Sequence, residues 1–423
     1  MQFQSVTGMH DILPDEQRYF SAIRRSMRLR CRARGIKRIT TPVLESTDLF
    51  RRAIGEATDI VEKEMYTFRD QGDHELTLRP ELTAGIVRSY IQHGMSQLPQ
   101  PVELYSIDAV FRRDRPQKGR FRQHFQCDVE IMGESDPAID AEVIELAWAI
   151  MGDLGLAEHL EIRINSMGDP KDREKYIEQL TNFYSGKERS LCETCQRRLK
   201  TNPLRLLDCK EEDCKLLASM APKLTDVMSE EAKLFHKQMK GYLDALGVPY
   251  VENPKLIRGQ DYYTRTVFEL VPTNPELSHL SVGGGGRYDG LVEYFGGPPT
   301  PASGFGLGME RMVMLMHEVN LGVLDKDQID LFVLQLGEGA KKTCMPLVRK
   351  LREEGLKVRS SFGKDSLKSQ LNVANRLSAP LALIIGEIEV RDNKAILRDM
   401  VKGTQNIIPL PDLMEEIKKA VGK

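Results

Sequence analysis

The chain has 423 residues, with 60 Lys and Arg against 62 Asp and Glu, for a formal net charge of -2. With 41% hydrophobic and 29% charged residues it suits two or three globular domains and excludes global disorder, and its near-neutrality excludes a uniform basic coat but not a local basic patch. No run of about 20 apolar residues predicts a membrane span, the opening lacks a signal peptide's segments, and seven cysteines, an odd number, argue against a secreted disulfide framework, so a cytoplasmic protein is expected.

In chain order, Pro14 with Asp15 and Glu16 behind it starts a helix that runs to Arg34 and stops at Gly35. Residues 36–41 read as a short strand ahead of Pro42. Two strands between Tyr66 and Leu78 flank Gln71-Gly72-Asp73, a hairpin. Residues 102–107, 110–112 and 121–132 are further strands, spaced too closely for parallel crossovers and therefore antiparallel. Residues 137–151 are apolar on most sides and predict a buried helix. The first half is thus α+β. Residues 170–225 hold Cys192, Cys195, Cys209 and Cys214 among many charges and read as a small, mostly helical insertion. A strand resumes at 267–271, a glycine cluster follows at 283–286, and a helix is expected from about Gly306 to Val319.

Composition shifts again near 325–327. Beyond it, strands at 329–334, 356–360 and 381–385 alternate with helices at 346–355 and 366–377, which predicts an α/β unit on a parallel sheet. Residues 331–423 carry 17 Lys and Arg against 11 Asp and Glu. That +6 on a negative body suits a polyanion partner, although a soluble surface would give the same sign. The expected organisation is a domain over 1–325, interrupted by the insertion at 170–225, and a second domain over 326–423.

Four segments carry candidate chemistry. Residues 111–123 (Phe-Arg-Arg-Asp-Arg-Pro-Gln-Lys-Gly-Arg-Phe-Arg-Gln) hold six basic residues and one acid, with Pro116 and Gly119 forcing a loop. Arginine forks on such a loop can converge on phosphate oxygens; a solvated hairpin is the alternative. Arg258-Gly259-Gln260-Asp261-Tyr262-Tyr263 mixes cationic, acidic and phenolic groups that can enclose a small polar ligand or merely pack a surface loop. Gly283 to Gly286, followed by Arg287-Tyr288-Asp289-Gly290, allows close backbone approach to a ligand or tight packing. Neither the dinucleotide glycine pattern nor a Gly-Lys-Ser/Thr phosphate loop is present, so phosphate binding would fall to arginines. Gly304-Phe305-Gly306-Leu307-Gly308-Met309-Glu310-Arg311 leads into the apolar stretch at 312–316, a core helix with Arg311 in its first turns.

Together these segments resemble histidyl-tRNA synthetases, a class II aminoacyl-tRNA synthetase family, over nearly the whole chain. Residues 35–55 with Pro42 resemble class II motif 1, residues 111–130 motif 2, and residues 304–311 with their helix motif 3. The Arg258 to Tyr263 and Gly285 to Gly290 segments resemble the two histidine-specific signatures. Thr77-Leu78-Arg79-Pro80-Glu81 and His10-Asp11-Ile12-Leu13-Pro14 also match. The resemblance implies an α+β catalytic domain on an antiparallel sheet and a C-terminal α/β anticodon-binding domain. It implies a homodimer that uses ATP and Mg2+ to join L-histidine to its tRNA, away from any membrane.

It also implies residue roles. Arg112 would hold the ATP α-phosphate and the amino-acid carboxylate, Arg311 the γ-phosphate, and Arg258 would add charge stabilisation at the α-phosphate. Glu81 and Gln126 would grip the histidine ammonium group. Glu130 and Tyr263 would read the imidazole, with Tyr288 lining the pocket. Arg115, Gln117 and Arg120 lie in the loop that would meet the tRNA acceptor end. Two positions depart from the family pattern. His124-Phe125 reverses the usual aromatic-His order, so either His124 occupies the adenine-stacking position or a register shift brings in Phe125. Gln260 stands where leucine is common.

Cys192-x-x-Cys195 and Cys209-x4-Cys214 can supply four thiolates to zinc, although the second spacing is looser than a usual knuckle and many family members lack these cysteines. Free thiols are the other reading. Paralogues of the family serve as regulatory subunits that bind histidine without charging tRNA; they typically lack the anticodon domain and parts of the arginine set, both of which are present here.

Overall fold

The computed structural model describes every residue except 1–2, 56–57, 59, 259, 261, 278–279, 324–327 and 423. Gly259 and Asp261 of the arginine–tyrosine segment, and the composition shift at 325–327, therefore lie outside the described residues. The chain divides into two compact units, Met1–Val323 and Leu324–Lys423.

The first unit is built on an eight-stranded sheet. Its strand order is Lys37–Arg38, Val102–Phe111, Gln123–Met132, Ala302–Gly308, Gly283–Arg287, Thr264–Pro272, Leu160–Ser166 and Val251–Glu252. All pairings are antiparallel except the two outermost, where the two-residue strands lie parallel to their neighbours. The strands expected at 102–107 and 110–112 are one ten-residue strand, because Asp108 and Ala109 stay in register opposite Gln126 and Phe125.

Helix Pro14–Ala33 has proline in its first turn, Asp15 and Glu16 near its positive end, and Arg30 and Arg32 near its negative end. Phe20, Ile23, Met27 and Cys31 recur at helical spacing and are buried. That face packs with helix Pro137–Asp153 into the core formed with one side of the sheet. Asp136 caps the second helix by accepting from Ala138 N at 2.8 Å.

The expected helix start at Gly306 is corrected. Residues 302–308 form a strand, and the helix begins at Met309. The glycine cluster is also a strand, Gly283–Arg287. Without side chains these glycines show no alternation to read, and their place between strands leaves no room for one. A Cβ on Gly304 would stand 1.9 Å from Glu130 Oε2, and one on Gly284 2.9 Å from Arg258 Nη1. The glycines thus form a floor over which charged side chains lie.

A small antiparallel sheet of Leu44–Ser46, Glu75–Leu78 and Tyr66–Arg69 flanks this core, with the expected hairpin between its last two strands. Residues 170–225 are mostly helical, containing Pro170–Tyr184, Glu193–Thr201 and Glu212–Ser219. Their apolar core, including Tyr176, Leu180 and Leu204, is continuous with Tyr263 and Val267.

The second unit carries a five-stranded sheet in the order Val358–Ser360, Leu331–Leu336, Leu381–Gly386, Lys394–Asp399, Gln405–Pro409. The first three strands are parallel, as expected, but the last two extend the sheet as an antiparallel hairpin. The helix expected to start at Pro346 runs from Glu338 to Glu353 with Pro346 inside it. A proline usually marks a first turn, and here the helix forgoes one backbone hydrogen bond instead.

Candidate active site

A cleft of about 720 Å³ opens over the glycine strands of the first unit. Strand Gln123–Met132 presents alternate side chains to it: His124, Gln126 and Asp128 line the cleft and Glu130 lies buried beyond them. Phe125 points the other way, into the core against Phe20, with ring centroids 6.2 Å apart. The register is continuous through His124, opposite Val110. The side chain facing the cleft at this position is therefore the histidine. Burial, then the charges of Arg112 and Arg311, lower its pKa to about 3, so the ring is neutral near pH 7.

Arg112, Arg258 and Arg311 line the cleft. Arg112 donates Nε to Pro80 O at 2.8 Å, which fixes its guanidinium. Pro80 and Glu81 are held in turn by Arg79, which is buried and donates to Ala109 O and Thr41 O, both at 2.8 Å. Arg311 donates Nε to Gly119 O at 2.9 Å and Nη1 to Ser281 O at 2.6 Å. Burial, then repulsion from Arg112 and Arg120, lowers its pKa to about 10. It remains a cation near pH 7, held close to two others, an arrangement that a polyanion would relieve. Arg258 pairs with Glu269 across 3.0 Å and lies over the Tyr263 ring.

Carboxyl groups lie in the same cleft or buried beside it. Glu81 accepts from Ala84 N at 2.8 Å. Glu130 accepts from Thr83 Oγ1 at 2.6 Å and from the Tyr288 hydroxyl. Burial raises the pKa of all three carboxyls, Glu81, Asp128 and Glu130, and mutual repulsion adds to this for Asp128 and Glu130; Glu130 reaches about 8. A cationic or donor-rich ligand would restore their charge. Tyr262 lies between Tyr263 and Tyr288, with ring centroids 4.8 and 5.6 Å away.

Among the described residues, His124 Nδ1, Gln126 Oε1, Asp128 Oδ1 and Arg258 Nε are buried polar atoms without a hydrogen-bond partner, and all four residues line this cleft. Such groups carry a desolvation cost until a ligand satisfies them. A larger, shallower groove of about 1470 Å³ runs along the insertion, but it gathers none of these orphaned atoms.

Of the residues singled out in the sequence, Glu81, Arg112, Arg120, His124, Gln126, Arg258, Tyr263 and Arg311 line the cleft. Glu130 and Tyr288 sit buried at its end. Arg115 and Gln117 are exposed on the loop outside it, while Arg120 pairs with Asp114 at 2.8 Å. Gln260 also borders the cleft. The four cysteines converge inside the insertion. Sequence reasoning gave no individual role to Thr83, Asp128, Tyr262 or Glu269. Asp128 was findable, since it stands two residues from both Gln126 and Glu130 on one strand face.

The Arg287 of the glycine segment is not a cleft residue. It is fully buried and pairs with Asp140 at 2.9 Å and with Asp289 at 3.0 Å. It also donates to Glu134 O and Asp136 O, both at 3.2 Å.

A family model described as histidyl-tRNA synthetase matches residues 8–312. The chain belongs to the histidyl-tRNA synthetase family. It is accordingly an ATP-dependent aminoacyl-tRNA ligase. A second model, described as an anticodon binding domain, matches residues 330–420. A histidine–tRNA ligase of Dehalococcoides mccartyi is 43% identical over 419 residues, covering 99% of this chain and 100% of the relative. One from Staphylococcus aureus is 41% identical over 415 residues, covering 97% and 99%. The crystal structure of apo Staphylococcus aureus histidyl-tRNA synthetase superposes with a TM-score of 0.83 at 37% identity, over 99% of this chain and 100% of that one.

Proposed function

We propose that the chain activates L-histidine with ATP, releasing pyrophosphate, and then transfers the histidyl group to the 3′ end of the histidine tRNA. The charged lining of the cleft carries this reading, with Arg112, Arg258, Arg311 and buried carboxyls brought to one site. In the first step a carboxylate oxygen of histidine attacks the α-phosphorus and pyrophosphate departs. Two anions must be held together while charge builds on the phosphoryl oxygens, which calls for fixed positive charge.

Arg112 and Arg258 serve the α-phosphate and the amino-acid carboxylate, Arg311 the γ-phosphate, and neutral His124 stacks on adenine. Mg2+ bound with ATP would take oxygen ligands from the triphosphate and could take a cleft carboxylate such as Glu269, where it would supply further positive charge to the phosphates. Glu81 and Gln126 hold the ammonium group. Glu130 and Tyr263 read the imidazole. The two hydroxyl donors on Glu130, from Thr83 and Tyr288, fix the carboxyl plane and so favour one ring orientation. A site built to pair both ring nitrogens rejects apolar isosteres strongly.

Arg115, Gln117 and Arg120 meet the acceptor end of the tRNA, and residues 326–423 bind the anticodon stem. Residues 1–325 form the catalytic domain of a cytoplasmic homodimer. Exposed Leu44 and Phe68 on the small sheet, with Val43 just ahead of it, supply apolar surface for that interface; a monomer mass at micromolar concentration would contradict it.

Charging of a histidine tRNA transcript with labelled histidine tests the whole reaction. Histidyl-tRNA should form only when ATP, Mg2+ and histidine are all present. Binding of histidine without any charging would assign the chain to a non-catalytic role.

A further inference from the structure

Four thiols meet in the helical insertion. Cys192 precedes helix Glu193–Thr201 as its N-cap, and Cys195 lies in that helix's first turn. Cys209 follows the 3-10 turn Pro203–Leu206, and Cys214 sits on helix Glu212–Ser219. All four Sγ atoms lie within 4.8 Å of one another, and those of Cys192 and Cys209 are 3.8 Å apart. Four thiolates around a zinc ion, at metal–sulfur distances of about 2.3 Å, form a tetrahedron with edges of about 3.8 Å. A disulfide would bring one pair to about 2.05 Å, and all four cysteines are unbridged.

Two backbone groups are aimed at the sulfurs. Cys195 N donates to Cys192 Sγ at 3.4 Å, and Cys192 N donates to Cys214 Sγ at 3.3 Å. Donors of this kind fix and stabilise metal-bound thiolates. Packing of apolar volume does not by itself explain why four small sulfur groups from three separate chain segments should face a common point. The surrounding module is made of helices of 15, 9 and 8 residues with short turns between them. Small modules of this type are where a structural metal contributes most to stability.

We propose that Cys192, Cys195, Cys209 and Cys214 bind one structural zinc ion, which holds the segment 202–211 against the active-site cleft. Four protein ligands close the coordination sphere, so the ion has no open position for a substrate or a reactive water. Its consequence is positional. Arg205, Cys209 and Lys210 line the same cleft as Arg112 and Arg258. Clamping Cys209 to Cys192 fixes the stretch that carries those two basic side chains. The metal assignment stands apart from the proposed reaction, since its readouts do not require activity.

The test uses the full-length chain without a histidine tag, purified without chelator. Elemental analysis should find about one zinc per chain. After removal of zinc under reducing conditions, Co2+ should bind one per chain. It should show the intense visible bands and near-ultraviolet thiolate charge-transfer absorption of a tetrahedral all-sulfur site. The Cys192→Ser/Cys209→Ser double variant should lose both signals. Trypsin should cut the zinc-free chain after Arg205 or Lys210 faster than the zinc-loaded one, and restored zinc should reverse this. Cobalt uptake by the wild-type chain keeps the proposal testable if the variant fails to fold. A reduced chain that binds neither zinc nor cobalt with sulfur ligation would overturn the assignment, as would one that holds metal equally well in the double variant. Equal trypsin rates with and without zinc would overturn the clamping of 202–211.

Discussion

Thr83 Oγ1 donates to Glu130 Oε1 across 2.6 Å, joining the start of one helix to the interior of a strand 47 residues further on. With the Tyr288 hydroxyl on its other oxygen, the Glu130 carboxyl is fixed before any ligand arrives. Its pKa is raised to about 8, first by burial. A folded-state pKa above the unfolded value means that the folded chain binds the extra proton. The associated stability is complete below about pH 4.5 and is lost as pH rises through about 8. Glu130→Gln removes that loss, because a hydroxyl can rotate to accept from the amide. Differential scanning fluorimetry of the ligand-free chain should show the variant gaining Tm relative to wild type between pH 6 and pH 9, by at least roughly 3 °C. A difference that does not change with pH would show that Glu130 is already ionised at pH 6.

The same substitution should weaken histidine use. It replaces an acceptor with a group that can present a donor to the imidazole, a mismatch of about 1–3 kcal/mol in a buried site. Steady-state pyrophosphate exchange should show kcat/KM for histidine falling roughly 10- to 100-fold. An unchanged value would remove Glu130 from the imidazole pocket.

Arg112→Ala and Arg258→Ala should each lower the rate of adenylate formation by at least roughly 10²-fold, the scale of removing one preorganised donor. The effect should fall mainly on kcat, because charge at the α-phosphate grows towards the transition state. Arg258→Ala also leaves Glu269 without its 3.0 Å partner, so Arg258→Lys serves as the control that retains charge but loses the fork. Rates near wild type for both alanine variants would contradict the assignment.

Arg287→Ala should act on stability and not directly on chemistry. It strands Asp140, which is as fully buried as Arg287 itself, at a cost of about 3–5 kcal/mol. Urea denaturation should show a lower midpoint with an unchanged slope. Near-normal stability would mean that Asp140 takes up a proton or finds another donor.

Truncation after residue 323 should leave histidine-dependent exchange measurable and severely reduce charging at limiting tRNA. The removed unit carries a net positive charge, and each lost phosphate contact should lower the salt slope of tRNA binding by about one. The mass of the truncated chain must be measured alongside, since a lost dimer would also lower exchange. A dimeric truncate with unchanged tRNA KM and salt slope would place anticodon recognition elsewhere.

The sequence made Arg112 and Arg120 legible because charge density in a loop closed by Pro116 and Gly119 is a local signal, whereas Arg258 and Arg311 took their roles from the family resemblance. Helix Pro14–Ala33 was legible for a similar reason: its start, its stop and its apolar spacing all lie within the segment. Strand Gly283–Arg287 was not, since glycine has no side chain to alternate and only the neighbouring strands reveal its pairing. Nor was the pairing of Arg258 with Glu269, which depends on the approach of a loop to the strand beside that glycine floor. Arg287 looked like part of a ligand-binding signature. Its partner Asp140 sits 147 residues earlier, beyond the reach of any local pattern. Pro346 misplaced a helix start because its usual position outweighed the apolar spacing upstream of it.

The most direct measurement is ATP–pyrophosphate exchange by the full-length chain across the twenty amino acids. Exchange driven by histidine, at least roughly 10³-fold faster than with any other amino acid and at least roughly 10²-fold slower in Arg258→Ala, is the predicted result. Exchange driven equally by another amino acid, or none with histidine in a folded chain that binds ATP, would contradict the account.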